Sequence, residues 1–226
     1  TNRGDSELAR FIDHTMLKPE VTQAQLKTLC DEARDYGFYS VCVNSANVPY
    51  CRQQLAGSNV KVVAVVGFPL GAASTGSKVY EAREAVQQGA SEIDMVMNIG
   101  EMKSKDYAYV AEDIRQIVAA ISPAPVKVII ETGMLTLNEK IVACALAKAA
   151  GAAFVKTSTG FAKGGATVED IALMKEVVGS SVQVKASGGV RDNKTAKALI
   201  KAGATRIGAS ASIAIVTGQT GGGKGY

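Results

Sequence analysis

The stretch Phe154-Val155-Lys156-Thr157-Ser158-Thr159-Gly160-Phe161 runs from two apolar residues into a lysine, then into small and hydroxyl residues that end at a glycine. An apolar run bounded by turn residues reads as a short buried strand giving way to a loop. Lys156 stands at that junction. An ammonium buried without a partner is costly, so the group either pairs or loses its proton. A neutral lysine amine is a nucleophile that condenses with carbonyls to a Schiff base. A lone lysine at a strand end more commonly snorkels its charge to solvent, and only the surrounding chain distinguishes the two.

The segments around this stretch repeat its plan. Upstream, Thr136-Leu137-Asn138-Glu139 has the capping-box pattern and opens a helix that Gly151 stops. Downstream, Thr167 caps a helix ending at Gly179, Val182 to Lys185 is the next strand, and Asp192 caps a helix ending at Gly203. Thr205 to Gly208 is one more strand, followed by a short helix. Nearer the N-terminus, a short helix over Ser6 to Arg10 leads into a strand over Phe11 to Thr15, and Thr22 caps a helix that runs to Tyr36. Phe38 to Val43, Val60 to Val66, Glu92 to Asn98 and Val126 to Glu131 also read as strands. Helical segments follow at Tyr50 to Leu55, Lys78 to Gln88 and Tyr107 to Ile121. The almost wholly β-branched run Val60 to Val66 is what a strand buried on both faces of a parallel sheet requires.

Eight strands, each followed by a helix, is the count of a closed (β/α)8 TIM barrel, and 226 residues suit one such α/β domain. An open doubly wound sheet is the alternative, but no G-x-G-x-x-G follows the first strand. The expected organisation is a single barrel domain over residues 1–216 with a short N-terminal helix, and a flexible glycine-rich tail over 217–226 that ends in Tyr226.

The chain is 47% hydrophobic and 20% charged, with a net charge of +4. Lys and Arg are interspersed with Asp and Glu, which speaks against a nucleic-acid surface and suits a small anionic ligand. Cys30, Cys42, Cys51 and Cys144 form no C-x-x-C pair and read as reduced thiols of a cytoplasmic protein. The polar stretch Thr1 to Glu7 has no signal-peptide character. Lys148 and Gly151 break the apolar stretch Ile141 to Val155, which is too short to span a bilayer, so no membrane partner is expected.

In barrels of this kind the chemistry lies at the C-terminal ends of the strands. Lys156 ends one strand and Lys185 ends the next, in Val182-Gln183-Val184-Lys185-Ala186-Ser187-Gly188-Gly189. Neighbouring strands lie about 4.8 Å apart, so two inward lysines would each disfavour the other's charge. Lysine ordinarily titrates near about 10.4, and burial beside a second ammonium is a recognised way to lower it. Lys185 pointing outward is the alternative. Asp94, in Glu92-Ile93-Asp94-Met95-Val96-Met97-Asn98, is a charge within an apolar strand, on one face with Val96 and Asn98. Buried, it must be paired, either as a structural ion pair or as a group that holds a lysine and takes part in proton transfer. Asp13 raises the same question, with an orienting role the preferred reading.

Thr159-Gly160, Gly188-Gly189 and Gly208-Ala209-Ser210 follow three consecutive strands. Glycine lets backbone N–H groups approach an anion, and a short helix after the last strand adds its dipole, so these loops are the phosphate candidates. His14 is the single histidine, and no Cys/His/carboxylate cluster has metal-ligand spacing, so no metal or other cofactor is expected. His14 reads as a core residue or one behind the site, and Cys42 as a packed thiol.

Six segments together resemble the deoxyribose-phosphate aldolase family: Ile12 to Pro19, Val65 to Gly71, Glu92 to Gly100, Phe154 to Phe161, Val184 to Arg191 and Arg206 to Ser210. The resemblance spans about Phe11 to Ser210, and the Lys-Thr-Ser-Thr-Gly and Lys-Ala-Ser-Gly-Gly pair is its most specific part. It implies a barrel enzyme that, without metal, splits 2-deoxy-D-ribose 5-phosphate into glyceraldehyde 3-phosphate and acetaldehyde. It makes Lys156 the Schiff-base lysine, Lys185 the lysine that perturbs it and Asp94 the acid/base partner. Thr159, Gly160, Gly188, Gly189, Gly208 and Ser210 match the phosphate side, and Asp13 and Thr15 fall in the first motif on the substrate side. Ala211 stands where some members carry a second serine, which removes one hydroxyl contact. Members often end in a tyrosine, as this chain does, and a glycine tether would let the Tyr226 phenol reach the barrel mouth and pass a proton to an enamine carbon.

The implied partner is a phosphorylated sugar, and a homodimer or higher homo-oligomer is compatible with the sequence. Two rivals remain at this stage: another phosphate-binding barrel enzyme, or a barrel that binds phosphometabolites without chemistry. Two strand-end lysines plus Asp94 have no purpose in the second.

Overall fold

Short runs rich in valine and isoleucine form eight parallel strands that close on one another in chain order, in a computed structural model that describes residues 4–219. They are β1 (Ile12–Thr15), β2 (Ser40–Asn44), β3 (Lys61–Val66), β4 (Glu92–Val96), β5 (Val126–Ile129), β6 (Phe154–Lys156), β7 (Gln183–Ser187) and β8 (Arg206–Ala209). The ring shuts where β8 returns to β1, with Ile12 opposite Ile207 and Asp13 opposite Gly208. The open-sheet alternative is thereby excluded, and the fold is a TIM barrel.

The helices between the strands are α1 (Ser6–Ala9), α2 (Gln23–Tyr36), α3 (Val48–Gln54), α4 (Thr75–Gln87), α5 (Ile99–Lys103), α6 (Tyr107–Ile121), α7 (Leu137–Ala149), α8 (Val168–Val178), α9 (Asn193–Ala202) and α10 (Ser212–Thr217). Their starts follow the capping rules. Thr22 with Gln25 and Thr136 with Glu139 form reciprocal capping boxes, and Thr167 and Asp192 each accept an N–H three residues on. Gly37 stops α2 in the left-handed conformation at φ 69°.

Alternate residues of the strands face opposite layers. Val62, Ala64 and Val66 of β3 join Ile93 and Met95, Val128, Val155, Val184 and Ile207 in the apolar layer beneath the helices. Val63 and Val65 face the lumen, where they pack with Leu17, Cys42 and the half-buried Phe68. Much of the lumen is polar. Buried there are Asp13, Ser40, Glu92, Asp94, Lys127, Lys156, Lys185 and Arg206.

Several elements differ from the sequence reading, most by a residue or two at the ends. α4 starts at Thr75 rather than Lys78, because Ser74 caps it by accepting the Ser77 N–H. β5 stops at Ile129, since Glu131 takes a left-handed conformation at φ 58° that ends the extended run. α5, one turn capped by Asn98, was not anticipated. α10 runs through Thr217, one residue into the segment assigned to the tail. Among the described residues no helix is long and apolar enough to cross a membrane. All four cysteines are buried and unbridged.

Candidate active site

The lumen charges form one connected network. Lys156, the last residue of β6, lies directly opposite Lys185 of β7, and Lys185 opposite Arg206 of β8. Asp94 of β4 is in register with Lys127 of β5. Asp94 Oδ2 accepts Lys156 Nζ at 2.9 Å and Lys185 Nζ at 2.8 Å, and its Oδ1 accepts Lys127 Nζ at 2.7 Å. Asp13 Oδ2 accepts Lys185 Nζ at 2.6 Å, while its Oδ1 accepts Ser40 Oγ at 2.6 Å and Arg206 Nη1 at 3.1 Å. Glu92 accepts Lys127 Nζ at 2.5 Å, Arg206 Nη1 at 2.8 Å and the Tyr39 hydroxyl at 2.9 Å. The Arg206 guanidinium stacks 3.6 Å from the centre of the Tyr39 ring and 5.1 Å from that of Phe154.

Four basic side chains meet three carboxylates here, Asp13, Glu92 and Asp94, so the bases compete for counter-charge. Lys156 is the one whose hold on its proton is weakened. Burial lowers its basicity, and the charge of Lys185 lowers it further against the pull of Asp94. Burial also disfavours the charge on Lys185, but Asp13 and Asp94 outweigh it and hold that ammonium well above the ordinary lysine range. Lys127 is likewise raised, burial being overcome chiefly by Asp94. The carboxylates follow suit. Burial opposes ionisation of Asp94, yet Lys127, Lys156 and Lys185 hold it well below its ordinary value. Asp13 is lowered against burial by Lys185 and Arg206, and Glu92 by Lys127 and Arg206. Lys156 is thus a buried amine of lowered basicity whose neighbour is held as a cation.

The outward alternative for Lys185 is excluded, since the residue is fully buried and ion-paired in the lumen. The lysine pair does not depress both members, however. Asp13 serves Lys185 and not Lys156, and that difference sends the two amines in opposite directions. Lys127, Glu92 and Arg206 escaped the sequence reading. The signal available was a lone charge inside an apolar strand, the same one that marked Asp94.

A cavity of about 240 Å3 opens beside the ends of β6, β7 and β8, lined by Gly160, Ala162, Gly164, Gly188, Gly189, Val190, Arg191, Ala209 and Ser210. Four of the predicted anion-site residues, Gly160, Gly188, Gly189 and Ser210, meet here, together with Arg191, a guanidinium suited to phosphate. Gly189 has φ 75° and open space where a side chain would begin, whereas a Cβ on Gly188 would lie 3.2 Å from that of Ser158. Backbone thus forms this wall at close approach.

Other predicted residues lie elsewhere. Thr159 is buried off the cavity wall, because its hydroxyl donates to Glu131 Oε2 at 2.6 Å. Gly208 is a strand residue between Asp13 and Ser187 rather than part of the loop. Asp13 lies within the lumen, its oxygens occupied by Lys185, Ser40 and Arg206, so its place fits the orienting reading and not direct contact with a ligand in the cavity. Thr15 donates to the Asp13 carbonyl at 2.8 Å and lines a separate cavity of about 260 Å3 that also includes His14, Lys18, Glu32 and Ser210. His14 is buried between Ser212 Oγ at 2.8 Å and Glu32 Oε2 at 2.6 Å. Burial pushes the Cys42 thiol up, as befits a packed group. Tyr226 lies outside the described residues.

Known proteins share this architecture and sequence. The chain is 57% identical over 220 residues to the deoxyribose-phosphate aldolase of Alkaliphilus oremlandii, covering 97% of this chain and 99% of that protein. It is 58% identical over 214 residues to the deoxyribose-phosphate aldolase of Clostridium perfringens, covering 94% and 96%. The tetrameric deoxyribose phosphate aldolase of Aeropyrum pernix superposes with a TM-score of 0.87 at 32% identity, covering 93% of this chain and 90% of that one. Residues 8–222 match the model of the DeoC/LacD family aldolases, and with relatives this close over nearly its whole length the chain belongs to that family.

Proposed function

We propose that the chain is a class I aldolase that cleaves 2-deoxy-D-ribose 5-phosphate reversibly to D-glyceraldehyde 3-phosphate and acetaldehyde. The observation that carries this reading is Lys156: a buried amine of lowered basicity at the end of the strand whose following loop walls the Arg191 cavity. The Lys156 amine attacks the open-chain aldehyde, and loss of water leaves a protonated imine. A base takes the C3 hydroxyl proton, and the C2–C3 bond breaks. Its electrons run into the imine as glyceraldehyde 3-phosphate departs, leaving an enamine on Lys156. Protonation of that enamine at carbon and hydrolysis of the imine release acetaldehyde and restore the amine.

Asp94 and Lys185 share the proton traffic, since Asp94 Oδ2 already bridges the two lysines. Asp13 orients Lys185 from the opposite side of its ammonium. Tyr226 supplies the proton to the enamine carbon. Gly160, Gly188, Gly189, Ser210 and Arg191 hold the phosphate through backbone N–H groups, a hydroxyl and a guanidinium. Thr159 and Gly208 support this wall without touching the anion, and Thr15 lines the neighbouring cavity that shares Ser210. Assembly into a homo-oligomer belongs to the same reading. The Aeropyrum pernix relative is a tetramer, and Leu137, Ile141 and Val168 leave apolar side chains exposed on α7 and α8; a monomer mass by light scattering would refute it.

Borohydride reduction in the presence of acetaldehyde tests the chemistry. One lysine should become alkylated, and peptide mapping should find it at Lys156. An adduct on Lys185, or none, overturns the assignment.

A further inference from the structure

Glu131 sits between two backbone ties to the reactive strand. The Ile130 N–H donates to the Lys156 carbonyl at 3.0 Å and the Thr132 N–H to the Thr157 carbonyl at 2.9 Å. Between them Glu131 holds φ 58°, a left-handed conformation that residues with side chains rarely keep unless their surroundings fix it. Its carboxylate is 2% exposed. Oε2 accepts the Thr159 hydroxyl at 2.6 Å, and both oxygens accept the Thr159 N–H, at 3.3 and 3.4 Å. Among the described residues these donors all come from a single residue, so a buried carboxyl group is spent on holding Thr159 alone.

Thr159 passes the hold onward. Its Oγ1 also accepts the Phe161 N–H at 3.1 Å, which brackets Gly160, and Gly160 lines the anion cavity. A carboxylate strengthens such hydrogen bonds well beyond what an amide or hydroxyl acceptor gives. The strain at Glu131 therefore has a beneficiary, the segment that carries Gly160. Lys156 is held independently, its amine by Asp94 and its carbonyl by the Ile130 N–H.

We propose that Glu131 is a positioning residue: acting through Thr159, it fixes the loop after β6 and thereby sets the grip on the substrate's phosphate, without contacting the substrate. This rests on the reading that the Arg191 cavity takes the phosphate of a sugar ester. The imine chemistry at Lys156 does not depend on Glu131, so the two contributions separate kinetically.

The test measures kcat and KM on 2-deoxyribose 5-phosphate and on unphosphorylated 2-deoxyribose, alongside borohydride trapping of acetaldehyde. The variants are Glu131→Ala, Glu131→Gln and Thr159→Val. Loss of a charged hydrogen bond should raise KM for the phosphate ester by about tenfold or more. Values of kcat/KM for free deoxyribose should stay within about twofold, and trapping at Lys156 should persist. Glu131→Gln, which keeps one acceptor, should recover part of the loss, and the near-isosteric Thr159→Val should shrink the ester preference as Glu131→Ala does. Equal losses on both sugars, or no loss, overturn the proposal. Should Glu131→Ala fail to fold by circular dichroism, the preference of Thr159→Val decides alone. An unmutated enzyme that shows no preference for the ester refutes the phosphate reading itself. A preference that survives in the variants refutes only the role of Glu131.

Discussion

Lys156 and Lys185 face each other across β6 and β7 and donate to the same oxygen, Asp94 Oδ2, at 2.9 and 2.8 Å. One carboxylate oxygen does not sustain two full ammonium charges in a buried site, and the amine with fewer anions around it yields first. Lys185 has a second carboxylate in Asp13, 2.6 Å away, and Lys156 has none. Which amine has its basicity lowered is decided by what lies behind its neighbour.

Removing that neighbour should reverse the choice. In Lys185→Met the repulsion acting on Lys156 disappears and Asp94 holds its proton more firmly, so the neutral amine becomes scarce at neutral pH. A fall of about a hundredfold or more in kcat/KM is expected, in the range of a general acid–base contribution. The rising limb of the pH–rate profile should shift to higher pH. A profile with an unmoved midpoint would show that Lys185 does not tune Lys156.

Lys127 is the counter-ion of both Asp94 and Glu92, at 2.7 and 2.5 Å. Lys127→Met leaves those carboxylates short of positive charge in a closed lumen, and breaking such a pair from one side costs about 3–5 kcal/mol. Urea unfolding of the purified variant measures it, and a loss below about 1 kcal/mol would place Lys127 among the weak surface-type pairs.

Acid should weaken the fold through the same groups. Asp13, Glu92 and Asp94 all ionise more readily in the folded chain than their ordinary values of 3.8, 4.5 and 3.8, against burial, because of Lys185, Lys127 and Arg206. Folded values below unfolded ones mean that the unfolded chain binds more protons, so stability falls as pH falls. The contribution is complete above about pH 5 and is withdrawn progressively below about pH 4. Urea midpoints at neutral, mildly acidic and strongly acidic pH should therefore hold steady and then drop. A midpoint that rises on acidification would contradict the charge assignment.

The phenol of Tyr226 is testable by isotope exchange alone. Tyr226→Phe should slow exchange of solvent deuterium into the acetaldehyde methyl group by about a hundredfold or more, in line with loss of a general acid. Imine trapping at Lys156 should continue. Exchange at the unmutated rate would remove Tyr226 from the proton path.

The barrel was legible because its outward layer obeys simple rules. Val62, Ala64 and Val66 alternate with Val63 and Val65 in a run that only a doubly buried strand explains, and Thr22, Thr136 and Asp192 announce their helices in one residue each. Lys156, Lys185 and Asp94 stood out as charges at or within apolar strands. Lys127 and Arg206 have similar credentials but do not stand out in the sequence, because period two alone does not say which face of a strand looks into the lumen. That assignment follows from the closed register, which sets Lys127 against Asp94 and Arg206 against Lys185. Glu131 was illegible for another reason: its left-handed backbone is imposed by contacts with Thr159, a partner in a different loop.

The wiring of Asp13 has a consequence for how the chain is made. Its partners Lys185 and Arg206 lie 172 and 193 residues further along, on the last two strands to leave the ribosome. Until those strands arrive, Asp13 lacks both its cations and Glu92 one of its two, and each resists burial, so a nascent chain with six strands has reason to keep its lumen hydrated. Closure by β8 then pairs Asp13 and Glu92 with Arg206 and completes the cavity wall at Ser210 in one event. A chain cut short before Arg206 lacks a cation of both Asp13 and Glu92 along with its final strand, and a fully paired lumen becomes a report that translation has reached the end of the barrel.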